Sequence, residues 1–205
     1  MADTEAPQIY LVTPPDFDLS VFPKTLDRVL SDVSVACLRL SLATRDEDRL
    51  VRAADALREV AHTHDVALVI DTHVVLAERL GLDGVHLTDG ARSVRAARKA
   101  LGPDAIVGAF CSQSRHDGMT AGESGADYVS FGPVSGHLGS GAIAERDLFQ
   151  WWSVMIEVPV VAEGGIDADQ ARDLAGVVDF LAVGEEIWQA QDPVEALCAI
   201  RDAVS

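Results

Sequence analysis

The chain has 205 residues, 48% hydrophobic and 24% charged, with 16 Lys+Arg against 33 Asp+Glu and a formal charge of −17. That balance excludes the clustered cations that bind nucleic-acid phosphates, and it argues equally against an anionic membrane surface. The length suits one domain over residues 1–205 with a substantial core; residues 1–7 are expected to be a flexible N-terminus. With no basic leader and no apolar run of about 18 residues, a cytoplasmic protein is expected.

Short apolar runs occur at residues 8–12, 35–40, 66–70, 84–87, 106–109, 128–131, 158–162 and 180–183. Segments with helical spacing follow them at 22–30, 47–63, 74–80, 92–101, 117–124, 145–156, 168–175 and 193–203. Strand and helix in alternation indicate a parallel sheet, and eight such units in this length predict a single-domain (β/α)8 TIM barrel of near-minimal size. The alternative is an open doubly wound sheet, but Thr13-Pro14-Pro15 stands where a dinucleotide fold carries Gly-x-Gly-x-x-Gly. Helix starts are marked by Thr44 with Glu47, Asp167 with Gln170, and Asp192-Pro193 with Glu195.

In such a barrel the chemistry sits at the strand ends. These carry Thr13, Arg39, Ser41, Asp71, His73, His86, Asp89, Cys111, Ser112, the loop 132–141, Glu163-Gly164-Gly165 and Gly184-Glu185-Glu186. Gly164, Gly165 and Gly184 stand where barrels hold phosphate on backbone amides, although tight turns also call for glycine. Glu163 and Glu185 oppose that reading, because a carboxylate about 4 Å from a phosphate costs about 4 kcal/mol at an effective dielectric of 20. Glu185 is expected either to point away or to fill the anion site from the short helix that follows.

Asp71, His73, His86, Asp89, His137 and Glu163 form a workable set for a divalent metal if they converge at the mouth, without matching a ligand motif by spacing. The three cysteines, Cys37, Cys111 and Cys198, lack CxxC spacing and are expected to be buried apolar residues. Cys111 near Ser112 and His116 invites a nucleophile reading, but spacing identifies no base for it. Trp151-Trp152 is assigned to core packing or a subunit contact, and His62 and His64 to a helix C-terminus.

Three segments carry a family resemblance: Gly81-Leu82-Asp83-Gly84-Val85-His86-Leu87, Gly125-Ala126-Asp127-Tyr128-Val129-Ser130-Phe131-Gly132-Pro133-Val134 and Pro159-Val160-Val161-Ala162-Glu163-Gly164-Gly165-Ile166. From Ile9 to Gly184 the chain resembles thiamine phosphate synthase and its relative thiazole tautomerase. The resemblance implies a barrel, a homodimer, and a transferase that uses Mg2+ to join two small molecules, a pyrimidine diphosphate and a thiazole phosphate, releasing pyrophosphate. It also implies that Arg39, Gly164, Gly165 and Gly184 bind substrate anions.

Other family positions differ. The motif Gln-Leu-Arg-x-Lys reads Cys37-Leu38-Arg39-Leu40-Ser41, Asn-Asp-Arg reads Asp71-Thr72-His73, and Gly-Gln-Glu-Asp reads Thr88-Asp89-Gly90-Ala91. Asp71 and Asp89 are the candidates for Mg2+ from shifted positions. The Ser after the fifth strand is Phe110, and the tautomerase His two residues on is Ser112. His137 stands in the loop that loses its Lys, Glu163 replaces Ile, and Gly184-Glu185 replaces Val-Ser. The altered pocket residues are thus Ser41, His73, Phe110, His137, Glu163 and Glu185, and no catalytic residue is assigned. The resulting expectation is a family member with degenerate diphosphate and Mg2+ positions that lacks efficient synthase activity. The alternatives are a non-catalytic regulatory relative, or a metal-dependent enzyme using His73, His86 or His137 on a cationic or uncharged substrate.

Overall fold

Parallel strands covered by helices are buried on both faces, which is why they appear as unbroken apolar runs. The computed structural model describes residues 6–136 and 142–205. In it the strands are β1 Gln8–Val12, β2 Cys37–Leu40, β3 Ala67–Asp71, β4 Gly84–Leu87, β5 Ile106–Phe110, β6 Tyr128–Phe131, β7 Val160–Glu163 and β8 Phe180–Val183. Each pairs in parallel with its sequence neighbours and β8 returns to β1, closing the barrel and removing the open-sheet alternative. Residues 1–5 of the expected flexible N-terminus lie outside the described residues.

The helices are α1 Phe22–Asp32, α2 Glu47–Thr63, α3 Val74–Leu80, α4 Val94–Leu101, α5 Arg115–Glu123, α6 Arg146–Met155, α7 Ala168–Leu174, α8 Glu185–Trp188 and α9 Pro193–Asp202. None of the described helices is long and apolar enough to cross a membrane. At α7 the capping box forms as expected, and Asp192 caps α9 by accepting from the Val194 amide at 2.9 Å. The expected Thr44 cap is corrected. Asp46 caps α2 by accepting from the Arg49 amide at 3.3 Å, because Thr44 instead accepts from the Asp46 amide at 3.1 Å.

A repeated brace closes the lower end of the barrel. Asp83, Asp127 and Asp179 each precede an even-numbered strand, and each carboxylate accepts at 2.7 Å from one amide near the start of the preceding odd strand, that of Leu68, Val107 or Val160. The helices bury their apolar stripes against the outer faces of the strands; the fully buried side chains there include Leu26, Leu57, Phe149 and Trp152. Trp152 is thus core, while Trp151 is half-buried with the Arg115 guanidinium 4.6 Å from its ring centre. His62 lies in the last turn of α2, and His64 meets Asp27 at 2.8 Å. Cys37 and Cys111 are buried, but Cys198 is only partly so.

Inside the barrel, Tyr10, Cys37, Val69, Tyr128, Val161 and Ala182 form a separate cluster. Gly108 makes room for it, since a Cβ there would lie 2.0 Å from Cζ of Tyr128. Because side chains alternate along a strand, the inward residues one step higher are Arg39, Asp71, Ser130, Glu163 and Gly184. That step is the floor of the mouth.

Candidate functional site

Arg39 is at the centre of that floor. Its Nη1 donates to Glu163 Oε2 at 3.0 Å, its Nε lies 3.5 Å from Asp71 Oδ1, and its guanidinium carbon is 5.9 Å from the Tyr10 ring centre. Burial opposes the charge, but Glu163, Tyr10 and Asp71 more than offset it, so Arg39 is held protonated above its ordinary range. The Asp71 carboxyl is also raised, by burial, against Arg39 and the Ser41 hydroxyl, which lower it. Ser41 itself is positioned by its amide, which donates to Thr13 Oγ1 at 3.0 Å.

A chain of three groups leads down from this floor. His86 Nδ1 is 2.9 Å from the Tyr128 hydroxyl, which is 2.7 Å from the Tyr10 hydroxyl. The imidazole lies stacked near the Tyr128 ring, with centroids 5.8 Å apart. Burial, with Arg39 adding to it, pushes the His86 pKa well below its usual value, so the ring is neutral. Its Nε2 points towards Glu163 Oε2 at 3.9 Å, too far for a hydrogen bond. Four buried polar atoms here lack hydrogen-bond partners: Arg39 Nε, Asp71 Oδ1, His86 Nε2 and Ser130 Oγ. Buried polar groups are rarely left so, and this set is suited to a polar ligand or ordered water.

Beside the floor, the ends of β7 and β8 form an amide cradle. Gly164 and Gly165 have φ of 85° and 80°, values that suit glycine, and a Cβ on Gly165 would meet Ser135 Oγ at 2.0 Å. The amides of Gly165 and Ile166 donate to Glu186 Oε1 at 2.7 and 3.2 Å, and the Gly184 amide donates to Glu186 Oε2 at 2.8 Å. Of the two expectations for Glu185, pointing away holds, since it is exposed on α8, and filling the anion site is corrected by one residue, since Glu186 turns inward. No local pattern distinguishes adjacent glutamates in a four-residue helix; the position of Ile187, buried beside them, is the only signal.

The expected six-residue metal set does not assemble. Arg39, a cation, already lies between Asp71 and Glu163. His73 turns its Nδ1 to the Asp71 carbonyl at 2.5 Å, and Asp89 is exposed, accepting from Ser93 Oγ at 2.6 Å. His137 lies outside the described residues, among which no group of three His, Cys, Asp or Glu is placed for a metal. Asp71 Oδ1 is buried without a hydrogen bond but lies 3.5 Å from Arg39 Nε, which makes its carboxylate the remaining oxygen donor for Mg2+, an ion commonly bound by one or two carboxylates plus phosphate oxygens and water.

Phe110 and Asp89 line a cleft of about 480 Å3 at the ends of β4 and β5, with Ser112 and His116. Burial pushes the Cys111 thiol up to about 12, which removes it as a nucleophile. Sequence reasoning missed Tyr10 and Tyr128 as site residues; the signal was a hydroxyl within each apolar strand, central in β1 and first in β6, which burial obliges to find a partner.

The thiamine monophosphate synthase family matches residues 9–187 of this chain. The thiamine-phosphate synthase of Rhodospirillum centenum is 40% identical over 198 residues, 95% of each chain. That of Erythrobacter litoralis is 39% identical over 201 residues, 94% of this chain and 93% of its own. Among solved structures, thiamine phosphate pyrophosphorylase from Pyrococcus furiosus shares the fold with a TM-score of 0.83, covering 96% of this chain and 95% of its own at 24% identity.

These matches overturn the expectation of a degenerate, inefficient site, and with it the non-catalytic and altered-substrate alternatives. The like-charge argument behind that expectation fails on geometry. Glu163 is neutralised by Arg39 at 3.0 Å, and Glu185 faces solvent, where its field is screened. With fold, strand-end glycines and sequence similarity extending over the same residues, the chain belongs to the thiamine monophosphate synthase family.

Proposed function

We propose that this protein is a transferase that joins a pyrimidine diphosphate to a thiazole phosphate, releasing pyrophosphate. The observation that carries the reading is the cradle of Gly165, Ile166 and Gly184 amides, which already holds an oxyanion at the mouth. The thiazole phosphate is assigned to that cradle. Arg39 receives the diphosphate, its buried position giving a fixed cation in a low-dielectric setting.

The pyrimidine C–O bond breaks with its electron pair leaving on pyrophosphate, and the thiazole nitrogen lone pair forms the new C–N bond to the resulting cation. Little proton transfer is required, so positioning and electrostatics carry the catalysis. The Glu163 carboxylate, anchored by Arg39, has the sign that stabilises the cation. His86, neutral and fixed by Tyr128, offers Nε2 as a polar contact for the pyrimidine. Asp71 would hold Mg2+, which when bound supplies positive charge for the leaving pyrophosphate. The barrel interior below is filled, which keeps water from the cation's lower side.

The test is to incubate the purified protein with both substrates and Mg2+ and measure thiamine phosphate and pyrophosphate together. Turnover is expected, and Arg39→Gln is expected to lower kcat/KM by about 100-fold or more, as for loss of one preorganised charge donor. Absence of turnover by the unaltered protein overturns the reading.

A further inference from the structure

We propose that Glu186 is a built-in competitor for the phosphate subsite: its carboxylate occupies the amide cradle and must be displaced by the substrate phosphate. The inference rests on the assignment of that cradle to phosphate. It adds a residue that sets how readily the subsite accepts its anion.

The geometry is that of a bound oxyanion. Both carboxylate oxygens are engaged, one by Gly165 and Ile166 at 2.7 and 3.2 Å, the other by Gly184 at 2.8 Å. Two of these contacts cross 20 and 21 residues of chain, so they join the β7 loop to the β8 loop. Each N–H has one hydrogen to give, so a phosphate oxygen and a carboxylate oxygen cannot both be satisfied there, and their like charges repel at contact distance. Occupancy is therefore exclusive.

The short helix does not depend on this contact for its place. Ile187 is fully buried, and the Trp188 indole donates to the Val12 carbonyl at 2.6 Å and packs edge-on against Phe22. The Glu186 side chain can thus leave by rotating about its own bonds while α8 stays seated. A substrate phosphate that carries more charge and more oxygens than the carboxylate replaces it, whereas a neutral alcohol at the same position does not. The device lowers the apparent affinity of every ligand that needs the open cradle by the same fraction, so it raises the intrinsic anion affinity that a ligand must bring to occupy the subsite.

Affinity for a ligand falls by the fraction of molecules whose site is open, so removing the competitor raises it by the inverse of that fraction. Calorimetric titration with inorganic phosphate and with thiazole phosphate is the test, on the unaltered protein, Glu186→Ala, Glu186→Gln and Glu185→Gln, at one ionic strength. Glu186→Ala is expected to bind both probes about tenfold tighter or more, corresponding to an open fraction of about one tenth or less, with Glu186→Gln in between. Glu185→Gln removes the same charge one residue away in solvent and is expected to change affinity by less than about twofold, as for a screened surface charge.

Equal affinities for Glu186→Ala and the unaltered protein overturn the proposal, as does an equal gain in Glu185→Gln, which would mark a general charge effect. Loss of the fold in both Glu186 variants, read by thermal melting, overturns it as well, because the carboxylate would then be a structural staple. Turnover by the unaltered protein is scored separately. Turnover without an affinity gain removes this inference alone, and a gain without turnover removes the synthase reading alone.

Discussion

His86 shows how one buried side chain makes stability depend on pH. Its ring is fully enclosed and its pKa is depressed by burial and by Arg39, while in the unfolded chain it titrates near 6.5. The folded barrel refuses a proton that the unfolded chain accepts. The contribution of His86 is therefore complete above about pH 6.5 and is lost as pH falls below it, by at most about 1.4 kcal/mol per pH unit. Urea midpoints at pH 7.5 and 5.5 check this: His86→Gln is expected to be less stable at pH 7.5 but to lose less on acidification. Parallel losses in the two proteins would show that charging this ring is not the cause.

At the same scale, the placement of Arg39, Gly164, Gly165 and Gly184 at the mouth was legible in the sequence because strand ends in a barrel converge. The direction of each glutamate was not legible. Glu163 looked hostile to anions until Arg39 was found against it, and Glu186 was passed over for its neighbour. Both depend on side-chain reach across loops more than 20 residues apart in the chain, which no local spacing encodes.

The elements depend on devices that recur along the chain. The aspartates before β4, β6 and β8 each tie the start of the preceding strand, which keeps adjacent strands in register at the end opposite the mouth. Asp83→Ala strands the Leu68 amide and is expected to cost about 2 kcal/mol, lowering Tm by roughly 4 to 8 °C for a protein of this size. Thermal melting with parallel kinetics is the check, since a brace at the stability face leaves KM unchanged. Such elements were readable because the strand signals are strong. β1, β4, β6 and β8 fall on the expected residues, whereas β2 and β7 begin two residues later than their apolar runs. Val35 and Val158 belong to the approach to the strand, where apolar side chains pack on helices without entering the ladder.

For the whole molecule, the charge of −17 sets how an anionic substrate arrives. On the proposed function, two phosphorylated substrates approach a protein of like sign, so the field slows encounter and salt relieves it. Raising ionic strength from about 10 to 150 mM at saturating Mg2+ is expected to increase kcat/KM by roughly two- to fivefold, the reverse of a site in a basic protein. Stopped-flow or initial-rate measurements across that range decide it, and a steady fall in kcat/KM would mean that local cations govern capture.

The tyrosine pair beneath the mouth has a consequence for traffic. Tyr10 and Tyr128, seated on the glycine gap at Gly108, fill the barrel axis, so among the described residues the interior offers no passage from below. On the proposed function, both substrates and both products exchange at the mouth, where the floor at Arg39 and the amide cradle lie side by side. A product left in either place therefore obstructs the next round, and inhibition by products is built into the shape of the barrel.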